Sequence, residues 1–150
     1  MIGWKIMTIN DLYINAKAIS LEEIFVDVIE NHEQHLIDLN HGQLQQGQDS
    51  EGEYLREYQS IAYALEKYKM NSSAGFGNPD LRYTGAFYSG WSLYIDTKGF
   101  FYDSGDDKTS DLVAKYGENI FGLRKDNLEA FVDNDFRLDF FTILNEKLSR

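Results

Sequence analysis

The stretch Leu39-Asn40-His41-Gly42-Gln43-Leu44-Gln45-Gln46-Gly47-Gln48-Asp49-Ser50-Glu51-Gly52 constrains this chain more than any other. It follows an apolar-periodic segment, precedes a Tyr-rich one, and crowds side-chain amides, small residues and three glycines together. Side-chain amides compete with backbone groups for hydrogen bonds, and glycine admits positive φ. The composition therefore specifies chain geometry in preference to reactive chemistry.

The segments around it set an expected element order. Ser20-Leu21-Glu22-Glu23 has the form of a capping box, with the serine as cap and Glu23 reaching back. Ile24, Phe25, Val28, Ile29, His32, Leu36 and Leu39 then recur at helical spacing, which predicts one helix from about Leu21 to about Gln46. Gln45 to Gly52 reads as a loop, with Asp49, Ser50 and Gly52 supplying turn chemistry. Tyr54, Leu55, Tyr58, Ile61, Ala62, Leu65 and Tyr68 predict a second helix of about 14 residues. Asn71 to Asp80, with the single proline, is the longest expected loop and the candidate for a mobile or partner-ordered segment. Residues 1–19 alternate loosely and read as a strand or docked arm.

Downstream, Trp91-Ser92-Leu93-Tyr94-Ile95 alternates as a strand, Asp96-Thr97-Lys98-Gly99 has turn composition, and Phe100-Phe101-Tyr102 returns. Asp106 or Asp107 is placed to cap a short helix through Tyr116, which Gly117 stops. Asp126 is placed to cap a last helix with the stripe Leu128, Phe131, Val132, Phe136, Phe140, Ile143 and Leu144. The expected fold is a helix-dominated α+β single domain with a long N-terminal helix, a small antiparallel hairpin and a C-terminal helix.

With 150 residues, 43% of them hydrophobic and 15% aromatic, the chain is long and apolar enough to bury a core. Ten Tyr exceed what a small core accepts, because each hydroxyl wants a partner, so some are expected half-exposed at protein contacts. A formal charge of −11 disfavours duplex DNA and anionic membrane as partners. The absence of cysteine excludes disulfides, thiol catalysis and thiolate zinc sites. No apolar run approaches the roughly 18 residues of a membrane span, and Asn10 and Asp11 interrupt the N-terminal apolar residues, unlike a signal peptide.

Candidate chemistry is thin. His32, His35 and Asp38, with His41 nearby, have helical spacing for a metal, but no second element supplies the remaining ligands. Glu51 or Glu53 with Asp103 would make a glycosidase pair only across a cleft that raised one carboxyl's pKa. Asp103-Ser104-Gly105-Asp106-Asp107 lacks the spaced ligands and closing Glu of a calcium loop. Gly75-Phe76-Gly77 lacks the Lys-Ser/Thr of a phosphate cradle, and Ser50, Ser89 and Ser104 have no evident base. No catalytic, cofactor-binding or metal-binding residue is assigned, and no cofactor is expected. Leu81-Arg82-Tyr83-Thr84-Gly85-Ala86-Phe87-Tyr88 reads as a structural element, a Thr-Gly break that fixes the entry of the hairpin.

An ordered set of short blocks resembles a family of small structural proteins of tailed bacteriophages, particularly phages of Bacteroides-like hosts. The first block is Leu39-Asn40, Gln43-Leu44, Gly47, Asp49-Ser50 and Gly52, followed by Leu55 and Tyr58. Leu81, Thr84-Gly85 and Phe87-Tyr88 come next. Asp103-Ser104, Asp106 and Lys108 follow, then Tyr116-Gly117, Ile120-Phe121-Gly122-Leu123 and Asn127. The blocks span about residues 39–127 and leave both ends uncovered. The Thr-Gly-aromatic element before a hairpin is also similar to tail-completion and head–tail joining proteins. In those proteins an N-terminal helix packs on a small sheet and copies assemble in rings.

The resemblance implies a non-enzymatic head–tail connector or tail-completion component, made in the bacterial host cytoplasm and resident in the virion. Its implied partners are portal, connector or tail proteins and further copies of itself. The signature positions would then serve assembly and structure. Two other classes stand beside this one: a small acidic module that binds and inhibits a host protein, and a cell-wall hydrolase.

Overall fold

A computed structural model describes residues 7–96 and 98–150. It is helix-dominated α+β with one two-stranded antiparallel sheet and a C-terminal helix, as the sequence predicts. The chain divides into two compact units, Met1–Asn31 with Ala130–Arg150, and His32–Glu129.

In the first unit, α1 (Ile9–Ala18) is a helix where the loose alternation of residues 1–19 favoured a strand or arm; residues 1–6 of that expectation lie outside the described part. The reason is local. Thr8 Oγ1 accepts from the Asp11 N–H at 3.1 Å while the Thr8 N–H donates to Asp11 Oδ2 at 2.8 Å. This reciprocal capping box outweighs a weak alternation. Ser20 Oγ accepts from the Glu23 N–H at 3.2 Å and opens α2 (Leu21–Asn31) as expected. Ile24, Val28 and Ile29 of α2 are buried together with Phe131. A π-helical turn (Val132–Phe136) leads into α8 (Arg137–Leu148). Phe136 then meets Phe25, Phe131 and Phe140 at centroid distances of 5.8, 6.4 and 5.5 Å. Asn15 Nδ2 donates to the Leu148 carbonyl at 2.9 Å, tying α1 to the end of α8.

The single helix expected over Leu21–Gln46 is two. It breaks at His32, whose φ of −109° and ψ of 12° leave the helical region, and α3 runs Glu33–Gln45. Asn31 and His32 are weak helix formers, yet the apolar period passes through them unbroken, so spacing alone does not show the break.

In the second unit, α3 buries Leu36, Ile37, Asn40, Gln43 and Leu44. The next helix, α4, covers only Ile61–Met70, capped by Ser60, and does not begin at Tyr54. Upstream, the Leu55 N–H donates to Gly47 O and the Tyr58 N–H to Gly77 O, so those backbone donors are committed to loops. After the one-turn α5 (Ala86–Ser89), β1 (Trp91–Asp96) and β2 (Gly99–Ser104) pair from Trp91↔Ser104 to Asp96↔Gly99, the expected hairpin. Asp96 Oδ1 closes the turn by accepting from Lys98 and Gly99.

The helix α6 is Thr109–Tyr116. Neither Asp106 nor Asp107 caps it through a side chain, although the Asp106 carbonyl accepts from Thr109, and Gly117 at φ 90° ends it as expected. The following helix α7 is Lys125–Phe131, with Asp126 inside its first turn and paired to Arg124 instead of capping. Trp91 centres the core of this unit, 5.7 Å from Phe87, 5.5 Å from Tyr102 and 4.9 Å from Phe121. Tyr102 OH donates to the Leu36 carbonyl at 2.9 Å and joins the sheet to α3. Among the described residues no helix is long and apolar enough to cross a membrane.

Candidate functional site

The signature positions of the 39–52 stretch converge on the 119–124 segment. Asn40, fully buried, donates through Nδ2 to Ile120 O at 3.2 Å and accepts through Oδ1 from the Gly122 N–H at 2.7 Å. One turn later Gln43 donates to Gly122 O at 2.6 Å and accepts from the Arg124 N–H at 2.9 Å and from Asn127 Nδ2 at 3.1 Å. Ser50 donates its N–H to Asn119 O at 2.8 Å, and its Cβ lies against Gly122, where an added methyl would come within 3.1 Å. Gly122 at φ 125° is the residue that lets the segment pass so close.

The turn itself is built as the sequence suggested. Gly47 leaves α3 at φ 76° with its N–H on the Leu44 carbonyl, and a Cβ there would meet Asn78 Cβ at 3.0 Å and Ala74 O at 3.1 Å. Asp49 Oδ1 accepts from the Glu51 and Glu53 N–H groups, and the Asp49 carbonyl accepts from Gly52. Leu44 is core and Leu123 lies half-buried beside this clamp. These residues are all consumed in holding backbone to backbone.

The Thr84-Gly85 element is also structural. Gly85 at φ 87° starts the turn of α5, and Thr84 Oγ1 accepts from the Ala86 N–H at 3.3 Å. Phe87 is buried, and its carbonyl accepts from Ser104 Oγ at 2.9 Å, tying this turn to the end of β2. Tyr88 OH donates to the Asp80 carbonyl; burial, with Asp80 nearby, pushes this phenol up, so it stays a donor.

Asp80 forms an ion pair that the sequence does not announce. Lys67 Nζ lies 2.7 Å from Asp80 Oδ1, both side chains only 5% exposed. The same ammonium donates to Arg82 O, and the Arg82 N–H and Asn71 Nδ2 each donate to Asp80 at 3.1 Å. Asn71 also donates to Gln45 O at 2.9 Å, and Asn78 Nδ2 to Ala74 O at 2.8 Å. The 71–80 segment is therefore fastened at both ends, with Ala74, Gly77, Pro79 and Asp80 buried. Asp80 reads in sequence as a loop residue, nothing there marks Lys67 as its partner, and only the fold joins them.

The metal and catalytic candidates do not assemble. Among the described residues no three His, Asp or Glu side chains gather as ligands. His32 and His35 meet edge-on at 6.4 Å, and Asp38 accepts from Gln34. His41 instead packs edge-on against Tyr88 at 4.4 Å and Trp91 at 4.7 Å, with Nε2 buried and unpartnered. Burial drops its pKa to about 4, against the opposing pull of Asp38 and with a small push from Arg82. Glu51, Glu53 and Asp103 are exposed and line none of the hollows described next.

A cleft of about 200 Å³ opens between Tyr58–Tyr63, the Leu81–Phe87 segment and α6. Four tyrosines (Tyr58, Tyr63, Tyr83 and Tyr116) and the cations Lys67, Arg82, Lys108 and Lys115 line it, with Asp106 as the lining carboxylate. A neighbouring hollow of about 270 Å³ shares Tyr58, Tyr63 and Lys115 and adds Arg56 and Glu57. A third, of about 480 Å³, shares Arg82, Tyr83 and Thr84 and extends to Asn71 and Asp80. The three hollows are neighbours that share lining residues, and the first two form the tyrosine-walled groove. Burial pushes the Tyr58 phenol up, reinforced by Asp80, Tyr63 and Tyr116. Tyr63 is raised in the same way, by burial first and then by Tyr83, Glu66 and Tyr116. Their rings meet edge to face at 4.9 Å, and both hydroxyls remain proton donors at neutral pH. Sequence reasoning missed this groove because its cations are scattered singly from Arg56 to Lys115 in an acidic chain; the Tyr surplus was the one available signal.

Comparison with protein-family models, with curated proteins and with solved structures finds no match for this chain.

Proposed function

We propose that this chain is a non-enzymatic structural component of a tailed-phage particle, a head–tail connector or tail-completion subunit that works through contacts with copies of itself and with portal, connector or tail proteins. The observation that carries the assembly part of this reading is the outer face of the hairpin. Tyr94 and Phe101 stack at 5.3 Å with 15° between their planes, and they stay 48% and 53% exposed. They sit on a two-stranded sheet whose outer edges pair with no other strand among the described residues. Stacked exposed rings beside open strand edges are the makings of a contact surface, because both the apolar area and the unpaired backbone groups gain by being covered. The phage assignment rests on the ordered signature blocks, whose residues build the amide clamp and the turns described above.

The decisive experiment is mass spectrometry of purified virions from a host carrying the gene, paired with light scattering of the isolated chain. Detection in particles at stoichiometric level supports the proposal. A chain missing from every particle yet bound to a host protein would point to the acidic inhibitor module instead, and peptidoglycan clearing lost on replacing Glu51, Glu53 or Asp103 would point to a hydrolase.

A further inference from the structure

We propose that the tyrosine-walled groove is a docking site for an extended acidic peptide segment of a partner protein, its carboxylates taken by Arg56, Arg82, Lys108 and Lys115. None of these four cations has an ion-pair partner among the described residues, whereas Lys67, deeper in the groove, is already neutralised by Asp80. On a chain of net charge −11, four such cations facing one groove concentrate positive potential where most of the surface is negative. The walls add phenol hydroxyls of Tyr58, Tyr63, Tyr83 and Tyr116, neutral at physiological pH, that can donate hydrogen bonds to carboxylate oxygens without adding charge.

Two features favour a peptide over single-stranded nucleic acid. Glu57 and Asp106 interrupt the cations, which suits carboxylates spaced along a peptide and opposes a strand with a charge at every nucleotide. Tyr58 and Tyr63 meet at 84°, edge to face, so the pair offers no parallel stacking platform for successive bases. Neighbouring hollows that share Tyr58, Tyr63 and Lys115 suit a segment lying across both better than a compact metabolite held in one. The inference deepens the assembly reading and rests on it, since it names the chemistry of one partner contact.

The test uses the full chain and a blocked, fluorescently labelled peptide of alternating Asp and Ser, read by anisotropy at increasing salt. Saturable binding that weakens with salt is expected, with the Asn-for-Asp peptide and the Lys108→Glu/Lys115→Glu variant each weaker by about tenfold or more and Lys108→Arg/Lys115→Arg unchanged. The wild-type protein provides an independent readout, because ring signals of Tyr63, Tyr83 and Tyr116 should shift on titration even if the reversal variant does not fold. Absence of saturable binding, equal binding of the Asn peptide, ring shifts confined to other tyrosines, or tighter binding of an oligothymidylate of equal charge would each overturn the proposal. A chain found in particles whose groove ignores the peptide sinks this inference alone. A chain that takes the peptide but is absent from particles sinks only the phage assignment.

Discussion

Gly122 donates its backbone N–H to Asn40 Oδ1 at 2.7 Å while Asn40 Nδ2 reaches back to the carbonyl of Ile120, so one side-chain amide occupies the place of a missing partner strand. Gln43 repeats the arrangement on Gly122 O and the Arg124 N–H. Two amides on one face of α3 thus satisfy four backbone groups of a segment that belongs to no sheet.

Replacing Asn40 by Ala removes the amide without overfilling the site and leaves Ile120 O and the Gly122 N–H without their partners. Each buried, unpaired group costs about 1–3 kcal/mol, so a loss of roughly 2–6 kcal/mol is expected for the two. Urea unfolding followed by circular dichroism measures it. A loss below about 1 kcal/mol would mean that these groups find other partners at little cost.

The Lys67–Asp80 pair invites a double-mutant cycle. Lys67→Met strands a carboxylate that keeps only neutral donors, and Asp80→Leu strands an ammonium; either should cost about 3–5 kcal/mol. The double replacement should cost clearly less than the two single losses together, because no unpaired charge then remains. Additive losses would show that the pair is worth no more than its separate contacts.

Gly47 and Gly85 have similar positive φ, 76° and 87°, but different surroundings. A methyl at Gly47 would press on Asn78 Cβ and Ala74 O, while at Gly85 it would meet nothing within 4 Å. Gly85→Ala should therefore cost only the left-handed backbone penalty, about 1 kcal/mol, and Gly47→Ala distinctly more. Melting temperatures of the two variants decide it, and equal shifts would remove the packing part of the argument.

What could be read in the sequence was what local chemistry dictates. The Ser20 cap, the Asp96–Gly99 turn and the stop at Gly117 each rest on residues a few positions apart, and each is where the pattern put it. The failures come from competition at longer range. Tyr54–Tyr58 has helical spacing, yet its backbone donors pair with Gly47 and Gly77, which no window of sequence reveals. The 1–19 expectation weighed alternation and overlooked Thr8 and Asp11, a cap of the same type recognised at Ser20. At the candidate site, Asn40, Gln43, Gly47 and Ser50 stood out as geometric residues, but the 119–124 backbone that Asn40, Gln43 and Ser50 engage lies some 70–80 positions away. The groove was least legible, since its cations approach one another only after α4, the 81–87 segment and α6 have packed.

His41 gives the fold a pH dependence whose sign follows from its burial. The imidazole lies edge-on to Tyr88 and Trp91 with Nε2 unpartnered, and desolvation holds its pKa near 4, below the 6.5 of the unfolded chain. Asp38 pulls the other way and Arg82 adds slightly to the fall, but neither outweighs the lost hydration. Between these values the unfolded chain binds the proton and the folded one does not, so stability rises with pH in that window. The contribution is complete above pH 6.5, is lost as the pH falls toward about 4, and changes no further below that. Because the ring is only partly buried, solvent screening reduces the effect to about 1 kcal/mol between pH 6.5 and about 5. Most carboxylates titrate below this range, so it is the interval in which to look. His41→Phe keeps the edge-on packing and removes the titration. Its urea midpoint should be flatter than wild type from pH 7 to about 5, and parallel profiles would show that His41 is protonated as easily in the folded chain as in the unfolded one.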